Sequence, residues 1–292
     1  MNAMTQSGLD LAQPLVAEDG RRAPVPPLAA ARRRPRRLGR GEPVRFGGLL
    51  GPFLLLLAWS TGSAAGLIDS RILPSPWATV AAAGDLIADG RLQANLVVSA
   101  LRAAQGFAWG VAAGVLVALA AGLSQLGDYA VDGIVQVKRS LPTLALIPLL
   151  ILWFGIGETM KVTVIAISVF IPMYIQTHTA LRGIDVKHLE LAETLRLRRW
   201  TYVRFVVLPG ALPGVMTGLR FGVMSAWLAL VVVEQINASS GIGYMINLAR
   251  TYAQSDVILV GLVVYAMLGL TSDAAVRLVE ARVLAWRRTV AR

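Results

Sequence analysis

Between Glu190 and Gly214 the chain reads ELAETLRLRRWTYVRFVVLPGALPG. Charge is crowded there: Glu190, Glu193, Arg196, Arg198, Arg199 and Arg204. These residues make no catalytic set. Their chemistry is recognition, because a carboxylate or guanidinium offered to a partner forms charge-assisted hydrogen bonds. Asp185 is placed to cap a helix, its carboxylate accepting from the free N–H groups of the first turn. Leu189, Ala192 and Leu195 then fall on one helical face, and Glu193 and Arg196 are three apart and can pair. Leu208-Pro209 marks a fresh start, since proline is tolerated in the first turn of a helix and not in its interior. The spacing predicts a short helix, a second turn or two over Trp200–Val207, and a new helix from Pro209.

The elements around this stretch are apolar. Six segments qualify as spans: Phe46–Ile68, Gln93–Leu123, Leu141–Ile156, Val162–Leu181, Pro209–Gln235 and Val257–Val276. The second exceeds what a bilayer needs, so its polar first part is expected at the interface or beside another helix. The first could pass for a signal peptide, but its apolar run continues beyond the small residues of STGSAAG. An uncleaved anchor is expected. With the N-terminus inside, twenty-two lysines and arginines fall in inner segments and four in outer ones. The positive-inside rule therefore puts the charged stretch and both termini in the cytoplasm.

Of the 292 residues, 55% are hydrophobic and 15% charged, where a soluble domain carries nearer a quarter. The reading is an all-α polytopic membrane protein of about six transmembrane helices. A net charge of +11 would suit nucleic acid, but much of it sits in a Pro- and Arg-rich N-terminal arm. That arm lacks the aromatic interleaving that stacks bases. It reads as disordered and drawn to anionic lipid. No nucleic-acid partner is expected. The domains are a basic cytoplasmic arm (1–45), a transmembrane domain (46–280) containing the charged loop (182–208), and a basic cytoplasmic tail (281–292).

Several chemistries are excluded. There are no cysteines, hence no disulfide, thiolate metal site or Cys nucleophile. His178 and His188 are ten apart, without metal-ligand spacing. No Ser-His-Asp, HExxH or carboxylate constellation sits in the spans, so no catalytic or metal-binding residue is assigned. A secondary transporter would favour paired midmembrane acids and an inverted repeat, and neither is visible. No GxxxxGK[ST] loop is present, so any ATP chemistry belongs to another subunit.

The charged loop resembles the motif of ABC importer permeases written EAA, three residues, G, nine residues, I, one residue, LP. Glu190 and Ala192 take the Glu and second Ala positions, Val206 the Ile position, and Leu208 and Pro209 the LP pair. Leu191 replaces the first Ala and Arg196 the Gly. The segments RSLPTLALIPLLILWFGIG, RILPSPWATV, LPGALPGVMTGLRFGVMSAWLALVVVE and SSGIGYMI are similar to the nitrate/sulfonate/taurine branch of these permeases. The resemblance runs from about Phe46 to the C-terminal arginines and is nearest to aliphatic-sulfonate permeases.

That resemblance implies a type I importer permease fold in a bacterial inner membrane, with a cytoplasmic coupling helix. It implies a homodimer, two cytoplasmic ATPase subunits and an extracytoplasmic binding protein. The cargo would be a small anion, with sulfonates foremost and taurine or nitrate as alternatives. ATP and Mg would sit on the ATPase, and this chain would bind no cofactor. Glu190, Leu191, Ala192, Glu193, Arg196, Leu208 and Pro209 would couple to the ATPase, with Ala192 leaving room against it. Pathway candidates are Arg220, Pro142, Pro148, Gly214, Gly218, Gly222 and Glu234. Gly106, Gly110 and Gly114 suit packing within one subunit. The second glycine set suits either such packing or a two-fold contact with another copy. Arg220 suits either pairing or the pathway. Glu234 and Asp273 suit pairing or water near span ends. Pro142, Pro148 and Pro172 are expected to break or kink helices.

Overall fold

The computed structural model describes residues 47–286. The expected disordered arm (1–45) lies outside the described residues, as does the tail from 287 on. The chain divides into a short unit to Pro52 and a compact unit from Phe53 onward. Every described element is helical.

Helix α1 spans Gly47–Ala64 and α2 Pro76–Ala88. Ser75 caps α2, accepting from Ala78 N at 3.3 Å, and Pro76 opens it where a missing N–H costs nothing. Helix α3 (Arg91–Gly122) is followed by α4 (Gln125–Ser140), which Ser124 caps through Gly127 N. A 3₁₀ turn at Thr143–Leu146 leads into α5 (Ile147–Phe154). Helix α6 is Glu158–Arg182, and α7 is Val186–Thr194. A single turn, α8 (Arg199–Tyr202), passes through a π segment (Val203–Val207) into α9 (Leu208–Asn237). Helices α10 (Ile242–Thr251) and α11 (Ser255–Val283) complete the fold. Helix α11 thus carries regular structure into the residues expected as tail.

Four of these are long and apolar enough to cross a membrane: α3, α6, the run from Arg199 to Ile236, and α11. The predicted third span is not straight. Residues Gly127–Ser140 and Thr143–Phe154 form one broken unit bent by 91°. Pro142 lies at the break and Pro148 in the first turn of α5, both at points where the missing N–H has no intrahelical partner to lose. Lys138 and Arg139 are therefore inside this broken unit, not in a loop before it. Pro172, by contrast, lies within an unbroken α6.

Helix α6 is the axis of the compact unit. Met160, Val164, Ile165, Val169 and Met173 are fully enclosed along it. Two glycine stripes let neighbours close on it from two sides. On α3, a Cβ at Gly106 would stand 2.5 Å from Ile165 Cβ, and one at Gly110 2.6 Å from Ala166 O. On α9, Gly214 faces Ala180, Gly218 faces Met173, and Gly222 faces Val169. The first set behaves as expected. For the second, the structure shows the first of its two readings, packing within the chain: its face is filled by α6.

Candidate functional site

The coupling segment begins as its residues predict. Asp185 is extended and accepts from Lys187 N at 3.0 Å, which caps α7. The helix ends differently from the expectation. Arg196 does not extend α7 to pair with Glu193; it takes a left-handed backbone with φ +50°. Leu197 N reaches back to Ala192 O (3.0 Å), and Arg196 N to Glu193 O (2.9 Å). These two bonds close a Schellman C-cap, in which the left-handed position is most often glycine. Arginine occupies that turn at a backbone cost of about 1–2 kcal/mol. The tight turn that a glycine would suit is present despite the arginine.

Glu190 and Leu191 are exposed on the side of α7 away from the cavity that Val186, Leu189, Ala192 and Glu193 line. No ion pair engages Glu190 among the described residues, so its carboxylate is left for solvent or a partner. Ala192 is buried and lines, with Leu181, Ile184 and Val207, an open cavity of about 470 Å³.

Beyond the turn, Arg199 donates to Leu123 O at the end of α3 (2.9 Å). From Arg199 the backbone runs helically into α9. The predicted fresh start at Pro209 is therefore corrected: Leu208 and Pro209 lie within one rod from Arg199 to Ile236. The π segment explains the tolerance. Its wider turn, with Leu208 N bonded to Val203 O, absorbs the mismatch that proline would force on a regular helix. The helical backbone is thereby continuous from Arg199 to Ile236.

The pathway candidates scatter. Arg220 is half-exposed, 3.7 Å from Asp273 and 4.0 Å from Glu280 on α11, while Arg277 holds Asp273 at 2.7 Å. The pairing expected for Arg220 and Asp273 is thus met. For Glu234 the structure shows the pairing rather than contact with water: it is 1% exposed. It accepts from Ser99 Oγ (2.8 Å), Arg102 Nη1 (2.7 Å), Gly243 N (2.9 Å) and Tyr265 Oη (3.0 Å). Arg102 also forks onto Glu158 (2.5 and 2.6 Å) and donates to Ser240 O (2.6 Å). Lys161 meets Glu158 at 2.9 Å. One network, buried except at Glu158, thus ties α3, α6, α9, α10 and α11 together. Sequence reasoning missed Arg102, whose signal was an arginine within an apolar run. Such a residue requires an acid or carbonyl partner.

A second missed contact joins His178 Nε2 to Asp128 Oδ1 at 2.8 Å, with Arg182 3.6 Å from the same carboxylate. The His178 ring stacks on Tyr174, centroids 5.2 Å apart.

These features match a known family. Residues 110–285 fit the model described as "Binding-protein-dependent transport system inner membrane component". The permease protein SsuC of Bacillus subtilis (strain 168), named for aliphatic sulfonates transport, is 38% identical over 83% of this chain and 88% of its own. Its namesake in Escherichia coli (strain K12) is 41% identical over 80% of this chain and 89% of its own. Among solved structures, an amino acid ABC transporter chain aligns with TM-score 0.56 at 18% identity, over 64% of this chain and 92% of that one. That likeness establishes the fold. The expected type I permease fold is therefore the observed one, and the chain belongs to the family of inner-membrane permease components of binding-protein-dependent ABC transport systems.

Proposed function

We propose that this chain is the permease of an ATP-driven importer of aliphatic sulfonates, acting as a homodimer with two cytoplasmic ATPase subunits and an extracytoplasmic binding protein. Support for the cargo comes from the two relatives named for aliphatic sulfonates, each matched over at least four-fifths of this chain. Support for the coupling role comes from one observation: the segment after α7 continues helically into a membrane-length rod. ATP and Mg belong to the ATPase, and this chain hydrolyses nothing. The orientation proposed has both termini and α7 in the cytoplasm of an inner-membrane protein. Removing Lys138 and Arg139 from the inner tally leaves twenty basic residues inside against four outside, so their place in the broken unit does not change it.

The test is growth on butane-1-sulfonate as sole sulfur source, with and without this gene, alongside uptake by the reconstituted assembly. Loss of growth on deletion and rescue by the gene is the expected result. Normal growth of the deletion strain on the sulfonate, with failure on taurine or nitrate alone, would reassign the cargo.

A further inference from the structure

The break between α4 and α5 is not covered by its own chain. Arg139, Ser140, Leu141 and Pro142 are all exposed there. The 91° bend also leaves the backbone short of partners. Leu141 N turns back to Lys138 O (3.1 Å), Ala145 N reaches Pro142 O (3.0 Å), and Pro142 has no N–H to give. Among the described residues, no donor reaches the carbonyl oxygens of Arg139, Ser140 or Leu141.

The break also lies deep. Helix α6 is of membrane length and runs beside the broken unit. Asp128, near the start of α4, meets His178 towards one end of α6, and α5 ends a short turn before Glu158 at the other. Val135 shares a core with Tyr174. The bend comes about two turns beyond Val135, near the middle of the 25 residues of α6.

Hydrocarbon cannot cover such a place. Non-helical backbone at membrane depth is tolerated only against protein or a water-filled cavity. A guanidinium there needs an acid, a carbonyl or water. Asp128 is engaged by His178 and Arg182, Asp132 is two turns back on α4, and among the described residues no carboxylate lies within salt-bridge distance of Arg139. Lys138 is turned to Thr143 Oγ1 (2.6 Å). Leu141 and Leu144 beside the bend are apolar and exposed, so the backbone and the charge are what exclude lipid. A dry protein face would have to bring three donors and an acid to one spot. Water supplies both kinds of partner at once.

We infer that the exposed side of this break lines the water-filled path of the solute, and that Arg139 draws the anion to it. This chain leaves that side open, so the far wall belongs to the second copy of the proposed dimer. The inference rests on the proposed import of sulfonates and adds where the solute passes this chain at mid-membrane.

The full transporter, with its ATPases, is prepared in phosphatidylcholine nanodiscs with Ser140→Cys in this naturally cysteine-free chain. A sulfonate-bearing and an ammonium-bearing methanethiosulfonate are compared, each normalised to Leu195→Cys. Both attack a thiolate, which needs water. Ala112→Cys is the control: Ala112 is exposed on α3 close to Gly110, which packs at the level of Val169. Ser140→Cys should label and Ala112→Cys should not. The anionic reagent should be favoured about tenfold, as one uncompensated charge in a narrow wet cleft concentrates its counter-ion. Arg139→Gln should abolish that preference, and Arg139→Lys should keep it. Butane-1-sulfonate should slow labelling of Ser140→Cys and leave Leu195→Cys unchanged. Uptake by Arg139→Gln should fall about tenfold. If Arg139→Gln misfolds, the Ser140→Cys labelling and its protection still decide the matter. An unreactive Ser140→Cys, as lipid or a dry contact with the second copy would give, overturns the path. So do equal labelling at Ala112→Cys, equal rates for the two reagents, or no protection by butane-1-sulfonate in an assembly that transports it. An assembly that moves no butane-1-sulfonate, yet shows the Arg139-dependent preference at Ser140→Cys, would overturn the proposed cargo and support the path.

Discussion

Arg102 on α3 and Glu234 on α9 meet at 2.7 Å with both side chains closed off from solvent. Neither residue is needed to close its own helix. The pair joins two spans that otherwise touch mainly through α6, and Ser99, Gly243 and Tyr265 complete the shell around the carboxylate.

Removing one member strands the other. Arg102→Met should cost about 3–5 kcal/mol, the penalty for an uncompensated buried charge. Glu158→Gln should cost about 1 kcal/mol or less, because the Glu158 side chain is 60% exposed and water can replace a lost contact. Thermal survival in detergent, read by size-exclusion chromatography, checks both. Equal losses for the two variants would show that the buried arm holds nothing extra.

Arg196→Gly should raise stability by about 1 kcal/mol by relieving the left-handed turn that closes α7. Arg196→Val should lower it, since a β-branched side chain suits that backbone region worse than arginine. Trypsin nicking between α7 and α8 measures the order directly. Faster nicking of the glycine variant would mean that Arg196 contributes a contact outweighing its strain.

Glu190→Ala should leave membrane insertion normal and reduce ATPase co-purification. A charge-assisted hydrogen bond at the docking face contributes about 1.5–3 kcal/mol. Pull-down of the ATPase, with binding-protein-stimulated ATP hydrolysis as the second readout, tests this. Full retention of both would move the docking role to Leu191, the exposed apolar neighbour of Glu190.

Gly214→Leu should abolish folded protein, because any Cβ there collides with Ala180 of α6. Gly133→Ala on α4 meets nothing within 4 Å and should be neutral or stabilising, by up to about 1 kcal/mol. Expression of monodisperse protein separates them. A well-folded Gly214→Leu would mean that α9 can draw away from α6.

Ser239→Cys should react with an impermeant maleimide in intact spheroplasts, and Leu195→Cys should react only after permeabilisation. Both residues are exposed. The opposite pattern would invert the proposed topology.

Some of this was legible along the chain because its causes are local or solvent-imposed. Long apolar runs are long enough to cross lipid, and Asp185 caps the turn that follows it. The spacing from Asp185 to Leu195 placed helix α7, and the glycine repeat of α3 announced close packing. What tertiary structure decided depends on which helix stands opposite. Periodicity marks the Gly214–Gly222 face as a packing surface but cannot say that α6 of the same chain fills it. A proline at 209 forbids a regular helix, yet a wider π turn held by neighbours lets the rod pass through it. Glu234 near a span end could equally have faced water. Its donors come from residues 135, 132, 9 and 31 positions away, so only the folded chain brings them to one carboxylate. Buried charge is decided by such long-range company, because in a low-dielectric interior an ion is tolerable only where several separate segments bring partners to it.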